Sequence, residues 1–160
     1  MGRLAVIYVV SFALITGCGF APRGADSLPA DLAPVYIKSE RNTELTKALR
    51  RALELRQVAL ATSPIGAGAV LTVNNQDNGQ RILSVAATDG PEEYEVFQTA
   101  VFSLSIDDTV YISNQRLALT RDYTFDRNDV LGKRHEYESL RTALAAEMAQ
   151  AILRRVRYAR

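Results

Sequence analysis

Val96-Phe97-Gln98-Thr99-Ala100-Val101-Phe102-Ser103-Leu104-Ser105-Ile106 alternates with a period of two. Val96, Gln98, Ala100, Phe102, Leu104 and Ile106 fall on one side, and Phe97, Thr99, Val101, Ser103 and Ser105 on the other. Successive side chains of a strand point to opposite faces of a sheet, so this is a strand with one strongly apolar face and Phe102 at its centre. Asp107-Asp108-Thr109 follows, and short polar side chains that bond their own backbone make it a turn rather than a metal site. From Val110 to Phe125 a second extended segment alternates Tyr111, Ser113, Gln115, Leu117 and Leu119 with Ile112, Asn114, Arg116 and Ala118. The two segments are expected to pair antiparallel.

Upstream, Ala69-Val70-Leu71-Thr72-Val73 and Ile82-Leu83-Ser84-Val85-Ala86 read as extended, joined by Asn74-Asn75-Gln76-Asp77-Asn78-Gly79-Gln80. One long strand with an irregular middle is the first reading, and a hairpin turning at Asn78-Gly79 is the alternative. The polar cluster is not a calcium loop, because position twelve counted from Asn74 is Val85 and supplies no bidentate carboxylate. Asp89-Gly90-Pro91 is a turn.

Further out the periodicity becomes helical. Asn42-Thr43-Glu44 supplies a capping oxygen and an early acid, and Leu45, Ala48, Leu49, Ala52 and Leu53 recur on one face. Lys47, Arg50, Arg51 and Arg56 take the other face as a solvated surface. From Arg134 onward Leu140, Leu144, Met148, Ile152 and Val156 step by four, which predicts a long second helix. Arg154, Arg155 and Arg157 end it, where positive charge opposes the helix dipole. With Val35-Tyr36-Ile37 as a first short strand, the order is β-α-β-β-β-α. The fold class is α+β, a two-layer sandwich with two helices packed on a mainly antiparallel four-stranded sheet.

The first 34 residues have a different nature. Arg3 precedes an uncharged run from Leu4 to Ile15, the layout of a signal peptide. As a helix that run is about 18 Å long, short of the roughly 30 Å of a bilayer core. Leu14-Ile15-Thr16-Gly17-Cys18 then resembles the bacterial lipobox, and Cys18 is the single cysteine of the chain. The resemblance implies cleavage before Cys18, acylation of Cys18 and, since Gly19 rather than Asp follows, sorting to the outer membrane. Gly19 to Pro34 carries three prolines and reads as an extended tether. The division is therefore 1–17 signal peptide, 18–34 lipidated cysteine and tether, and 35–160 one domain.

Composition excludes several function classes. Lys and Arg number 19 against 18 Asp and Glu, a formal charge of +1, which gives no field to collect nucleic acid. One cysteine makes no intramolecular disulfide, and one histidine leaves a triad or a zinc cluster short of parts. His135 is followed by Glu136, but no Gly-x-Ser-x-Gly, Ser-x-x-Lys or paired-carboxylate pattern accompanies it. The reading is of a protein that is not an enzyme, with no metal and no cofactor beyond the lipid on Cys18.

Two stretches carry a family resemblance. Cys18-Gly19-Phe20 with Arg23-Gly24 behind it resembles the start of the lipopolysaccharide-assembly lipoproteins of the LptE (RlpB) family. Arg121-Asp122-Tyr123-Thr124-Phe125-Asp126, then Asn128-Asp129-Val130-Leu131-Gly132-Lys133, Glu136 and a helix ending Ile152-Leu153-Arg154-Arg155-Val156 is similar to that family's aromatic strand, Asp/Asn turn and terminal helix. The resemblance implies an outer-membrane, lipid-anchored protein facing the periplasm and a barrel lumen. Its partners would be lipopolysaccharide and the LptD β-barrel, for which it would act as plug and chaperone. It further implies lipid contact through basic residues near strand ends. Lys133 matches the family's lysine after the Asp/Asn turn. Where some members carry a basic residue at the hairpin tip this chain has Thr88, so Arg81 or Arg134 would substitute. An auxiliary lipoprotein of another envelope lipid-transport system would share the same acylation and fold class.

Overall fold

The computed structural model describes residues 28–84, 92–125 and 130–159. Within them the chain forms β1 (Val35–Ser39), α1 (Glu44–Glu54), β2 (Ala69–Ser84), β3 (Glu92–Ile106), β4 (Thr109–Phe125) and α2 (Val130–Arg157). The four strands make one sheet in the order β1-β2-β3-β4. β1 and β2 run parallel, and the other two pairings are antiparallel. This is the expected α+β sandwich.

Local chemistry sets the element ends. Thr43 caps α1, its Oγ1 accepting from the Thr46 backbone N–H at 3.3 Å. Leu45, Leu49, Ala52 and Leu53 of α1 are buried, as are Leu144, Met148, Ile152 and Val156 of α2. Both helices cover the face that carries Ala100, Phe102, Leu104 and Ile106, and these residues form one core cluster with Ile37, Leu71 and Val73. α2 begins at Val130, about one turn ahead of the Arg134 where its apolar period becomes visible. At 28 residues it extends about 42 Å.

β2 is one continuous strand, so the hairpin alternative at Asn78-Gly79 is not what the chain does. Its register against β3 shifts between Asn74 and Asp77, around the positive φ of Asn75. β4 carries a matching irregularity at Asn114, whose φ is 46° and whose backbone N–H donates to Ser103 Oγ at 2.9 Å. This bulge corrects the alternation read from sequence. Phe102 pairs with Gln115 but Leu104 pairs with Ile112, so Ile112 packs on the core side with Leu117, and Tyr111 turns outward. An extra residue in one strand exchanges the faces on either side of it.

Part of the stretch read as a tether is packed. Leu28 and Leu32 belong to the core, with a single 3-10 turn at Ala30–Leu32 followed by a cis Ala33-Pro34 bond. Gly68 makes this possible: a β-carbon there would lie 2.7 Å from the Ala33 carbonyl oxygen. The tether's last residues thus belong to the domain. Cys18, the signal segment, Thr88, the Asp89-Gly90-Pro91 turn and the Asp126 to Asp129 turn lie outside the described residues.

Candidate functional site

The sheet has a near end, where β1 and β2 begin and β3 turns into β4, and a far end toward which β2 and β4 run. β1 accompanies β2 only from Ala69 to Val73. Beyond Asn74 the sheet continues as β2, β3 and β4 alone, covered on its core face by the first half of α2. A second, smaller cluster forms there from Val96, Tyr123 and Leu144, with Tyr94, Tyr137 and Leu140 against it. Tyr94 and Tyr123 stack with ring centroids 5.6 Å apart. The Tyr123 hydroxyl donates to Gln80 Oε1 at 2.8 Å. Burial raises the Tyr123 phenol above its ordinary value, the charges of Glu136 and Tyr137 add to the rise, and Lys133 opposes it.

Lys133 enters this environment from the first turn of α2. Its Nζ donates to Glu136 Oε2 at 2.6 Å, and its side chain is only 19% exposed. Arg134, the next residue, is exposed, as is His135. Arg81 is elsewhere. Its strand neighbours Gln80 and Ile82 face the helix side, and Arg81 faces the open side, opposite Glu95 in the register. Its Nη2 lies 2.5 Å from Glu95 Oε1, and its guanidinium stands 5.8 Å from the centroid of the Phe97 ring. The three basic residues singled out from sequence therefore share the far end but not a face. Lys133 is on the helix side with the tyrosines, and Arg81 is on the open side with Phe97.

Each of the two cations is held by a carboxylate one step away, which fixes a compact positive group at the rim of an aromatic surface. Neither pair is freely hydrated, since Lys133 is 19% and Glu95 12% exposed, so parting either cation from its carboxylate carries a desolvation cost that a phosphate oxygen must offset. Sequence reasoning missed Glu95, Phe97 and Gln80. The first two become partners of Arg81 only once the β2–β3 register is known. Gln80 is reached by a hydroxyl 43 positions away. Among the described residues no group of three or more His, Cys, Asp or Glu is placed to hold a metal ion. No described helix is long and apolar enough to cross a membrane.

The open face of the sheet carries Thr72, Thr99, Ser103, Arg116 and Thr120 with Val70, Phe97 and Val101 between them, and no layer covers it among the described residues. The described residues form a two-layer α+β domain with an uncovered sheet face and basic residues at one end. The sequence model of the LptE lipopolysaccharide-assembly family matches residues 32–156, and the chain belongs to that family. No curated protein matches the chain. Among solved structures it is similar to uncharacterized lipoprotein B from Nitrosomonas europaea, with 25% identity and a TM-score of 0.73 over 87% of this chain and 90% of that one. It also resembles the rare lipoprotein B from Shewanella oneidensis (24% identity, TM-score 0.64, 75% of this chain and 90% of that one). A minor lipoprotein from Acinetobacter baumannii shares the fold at 17% identity, with a TM-score of 0.63 over 78% and 90% of the two chains.

Proposed function

We propose that this protein is an outer-membrane lipoprotein, acylated on Cys18, that serves lipopolysaccharide assembly as the plug and chaperone of an LptD-type β-barrel and binds lipopolysaccharide at its far end. The observation that carries the reading is the family match over residues 32–156, which takes in all four strands, α1 and all but the last residue of α2. The fold is compatible with it. Large barrels have polar, hydrated interiors, and a plug needs a polar surface without a broad apolar patch. The bare sheet face supplies one. Removing residues 1–17 takes Arg3 with it and leaves the acidic and basic side chains balanced.

In this reading Lys133 and Arg81 meet phosphate groups of the lipid, and the aromatic surface beside each gives the sugar and acyl portions something to lie against. Arg134 sits at the same end and adds charge. The test measures two things in the Lys133→Asp protein: lipopolysaccharide binding by the purified lipoprotein and co-purification of the barrel from cells. A charge-assisted hydrogen bond contributes about 1.5–3 kcal/mol, so lipid affinity is expected to fall about ten- to a hundredfold. Barrel association is expected to persist, because a broad interface does not hang on one rim charge. Lost barrel association with intact lipid binding would put Lys133 in the protein interface. A wild-type chain that captures no barrel would favour another envelope lipid-transport system.

A further inference from the structure

The basic residues at the far end are only part of this chain's positive charge, and a larger group lies at the opposite end of the helix layer. α1 leads from β1 back to the start of β2, and α2 returns from the end of β4, so both helices finish at the near end. Arg56, just past α1, donates to Gln150 Oε1 of α2 and ties the two endings together. From Gln150 to Ala159 the chain contains no acid, whereas Arg154, Arg155 and Arg157 are all there, and Arg51 adds a fourth cation from the last turn of α1. Arg51, Arg154 and Arg155 are exposed.

Helix dipoles account for the sign of these charges. They do not account for the large apolar groups set among them. Leu55, at the end of α1, is 76% exposed, and Tyr158, directly after α2, is 73% exposed with the Arg157 guanidinium 5.3 Å from its ring centroid. Arginines mixed with an exposed aliphatic and an exposed tyrosine are the composition of a surface that settles into a lipid headgroup layer.

The chain's own path brings that layer close. Leu28 and Leu32 are packed into the core, and the backbone of Asp31 and Ala33 lies against Gly68 at the start of β2, so the leading segment leaves the domain at the near end. Ten peptide steps from Cys18 to Leu28 span at most about 35 Å. The acids of this end are few, and one of them, Glu54, adjoins Leu55. Asp107 and Asp108 sit in the β3–β4 turn, beside the loop that carries Ile65, and Asp31 and Glu54 are the others.

We propose that the arginine-bearing end of the helix layer, with Leu55 and Tyr158, docks on the anionic phospholipid surface to which Cys18 tethers the chain. The proposal rests on the acylation of Cys18. This is the state of the lipoprotein before a barrel takes up the domain, with the β3–β4 turn and its two aspartates tilted off the surface.

The chain contains no tryptophan, so single substitutions provide silent-background reporters. The purified lipoprotein is reconstituted in vesicles of phosphatidylethanolamine and phosphatidylglycerol at a ratio of three to one, with brominated acyl chains, and tryptophan quenching is read. Mass spectrometry of the same preparation reads the acyl mass on Cys18. Tyr158→Trp is expected to be quenched strongly, and Ile65→Trp, at the same end but beside the aspartates, and Ile82→Trp, at the far end, weakly. Each arginine near an anionic surface contributes about a fivefold factor to the docked population, so Arg154→Gln with Arg155→Gln is expected to lower the docked-to-free ratio roughly twenty-fivefold, as is replacing phosphatidylglycerol with phosphatidylcholine in direction. Acylated protein in which Tyr158→Trp is quenched no more than Ile65→Trp overturns the docking alone. Protein with no acyl mass on Cys18 overturns the lipoprotein reading and the docking with it. Circular dichroism of the Arg154→Gln, Arg155→Gln protein confirms that its fold is kept when the quenching is compared.

Discussion

Phe97 on β3 fills the space that a side chain at Gly79 on β2 would occupy: a β-carbon placed on Gly79 would stand 3.2 Å from the ring. The two are paired in register, and the Arg81 guanidinium covers the same ring from two residues along. An aromatic ring laid over a cross-strand glycine shields that stretch of backbone and holds the register where β2 has lost β1 as a neighbour. Gly79→Val is therefore expected to destabilise the domain by about 1–3 kcal/mol through overpacking. Combining it with Phe97→Ala should recover part of the loss. Urea unfolding of the two single variants and the double variant checks this, and strictly additive losses would show that the ring and residue 79 do not meet.

The core prediction concerns which sheet face the helices cover. Phe102 is fully buried, so Phe102→Ala is expected to cost about 3–5 kcal/mol. Thr120, exposed on the open face of β4, is expected to tolerate alanine within about 0.5 kcal/mol. Equal effects of the two substitutions on thermal unfolding would contradict the one-sided layering.

The Tyr123 phenol gives a pH signature. Its folded-state value is raised, mainly by burial, so folding favours the protonated form. The resulting stability is complete below the ordinary tyrosine range, about 10, and is lost as pH rises from there through the raised folded value. Tyr123→Phe loses the hydrogen bond to Gln80, about 0.5–1.5 kcal/mol at neutral pH, and is expected to lose less stability than the parent chain above pH ~10. Denaturant midpoints of the two proteins measured from neutral to alkaline pH provide the comparison; a constant gap would deny the burial argument.

Lys133 and Arg81 lie on opposite faces of the far end and share no partner in their ion pairs. If only one face meets lipopolysaccharide, Arg81→Asp and Lys133→Asp will differ in binding by about tenfold or more, the worth of one charge-assisted bond. If both faces meet it, the double variant will show losses that add in free energy, as independent sites do. Calorimetric titration with purified lipopolysaccharide distinguishes the cases, and a double variant no weaker than either single one would place both side chains in one contact.

Acylation has a direct test at the single cysteine. Cys18→Ala is expected to leave an unprocessed precursor that takes up no labelled palmitate. Equal labelling of parent and variant would remove the lipoprotein assignment from this residue.

Most of the strands and both helices were legible because their signals are local. Thr43 caps α1 with its own hydroxyl, and Leu144, Met148, Ile152 and Val156 lie on one stripe of α2 by spacing alone. The β4 faces were misread from Tyr111 to Gln115, since the bulge at Asn114 shows itself only against Ser103 of the neighbouring strand. The tether read up to Pro34 runs seven residues too far for a related reason. Prolines exclude a regular helix, but they do not reveal that Leu28 and Leu32 have a core to enter.

The sequence by itself determined the alternation that buries Phe102, the helical stripes, the element order and the motif around Cys18, because each depends on residues within a few positions of one another. Tertiary structure alone decided that Arg81 and Lys133 face opposite ways, that Glu95 and Phe97 attend Arg81, and that Arg51 of α1 and the arginines ending α2 come to the same end, where the chain enters the domain. Those relationships depend on strand register and on the direction of each connection. A shift of one residue in register sends every side chain of a strand to the other face, and nothing in the local spacing records which register the packed sheet adopts.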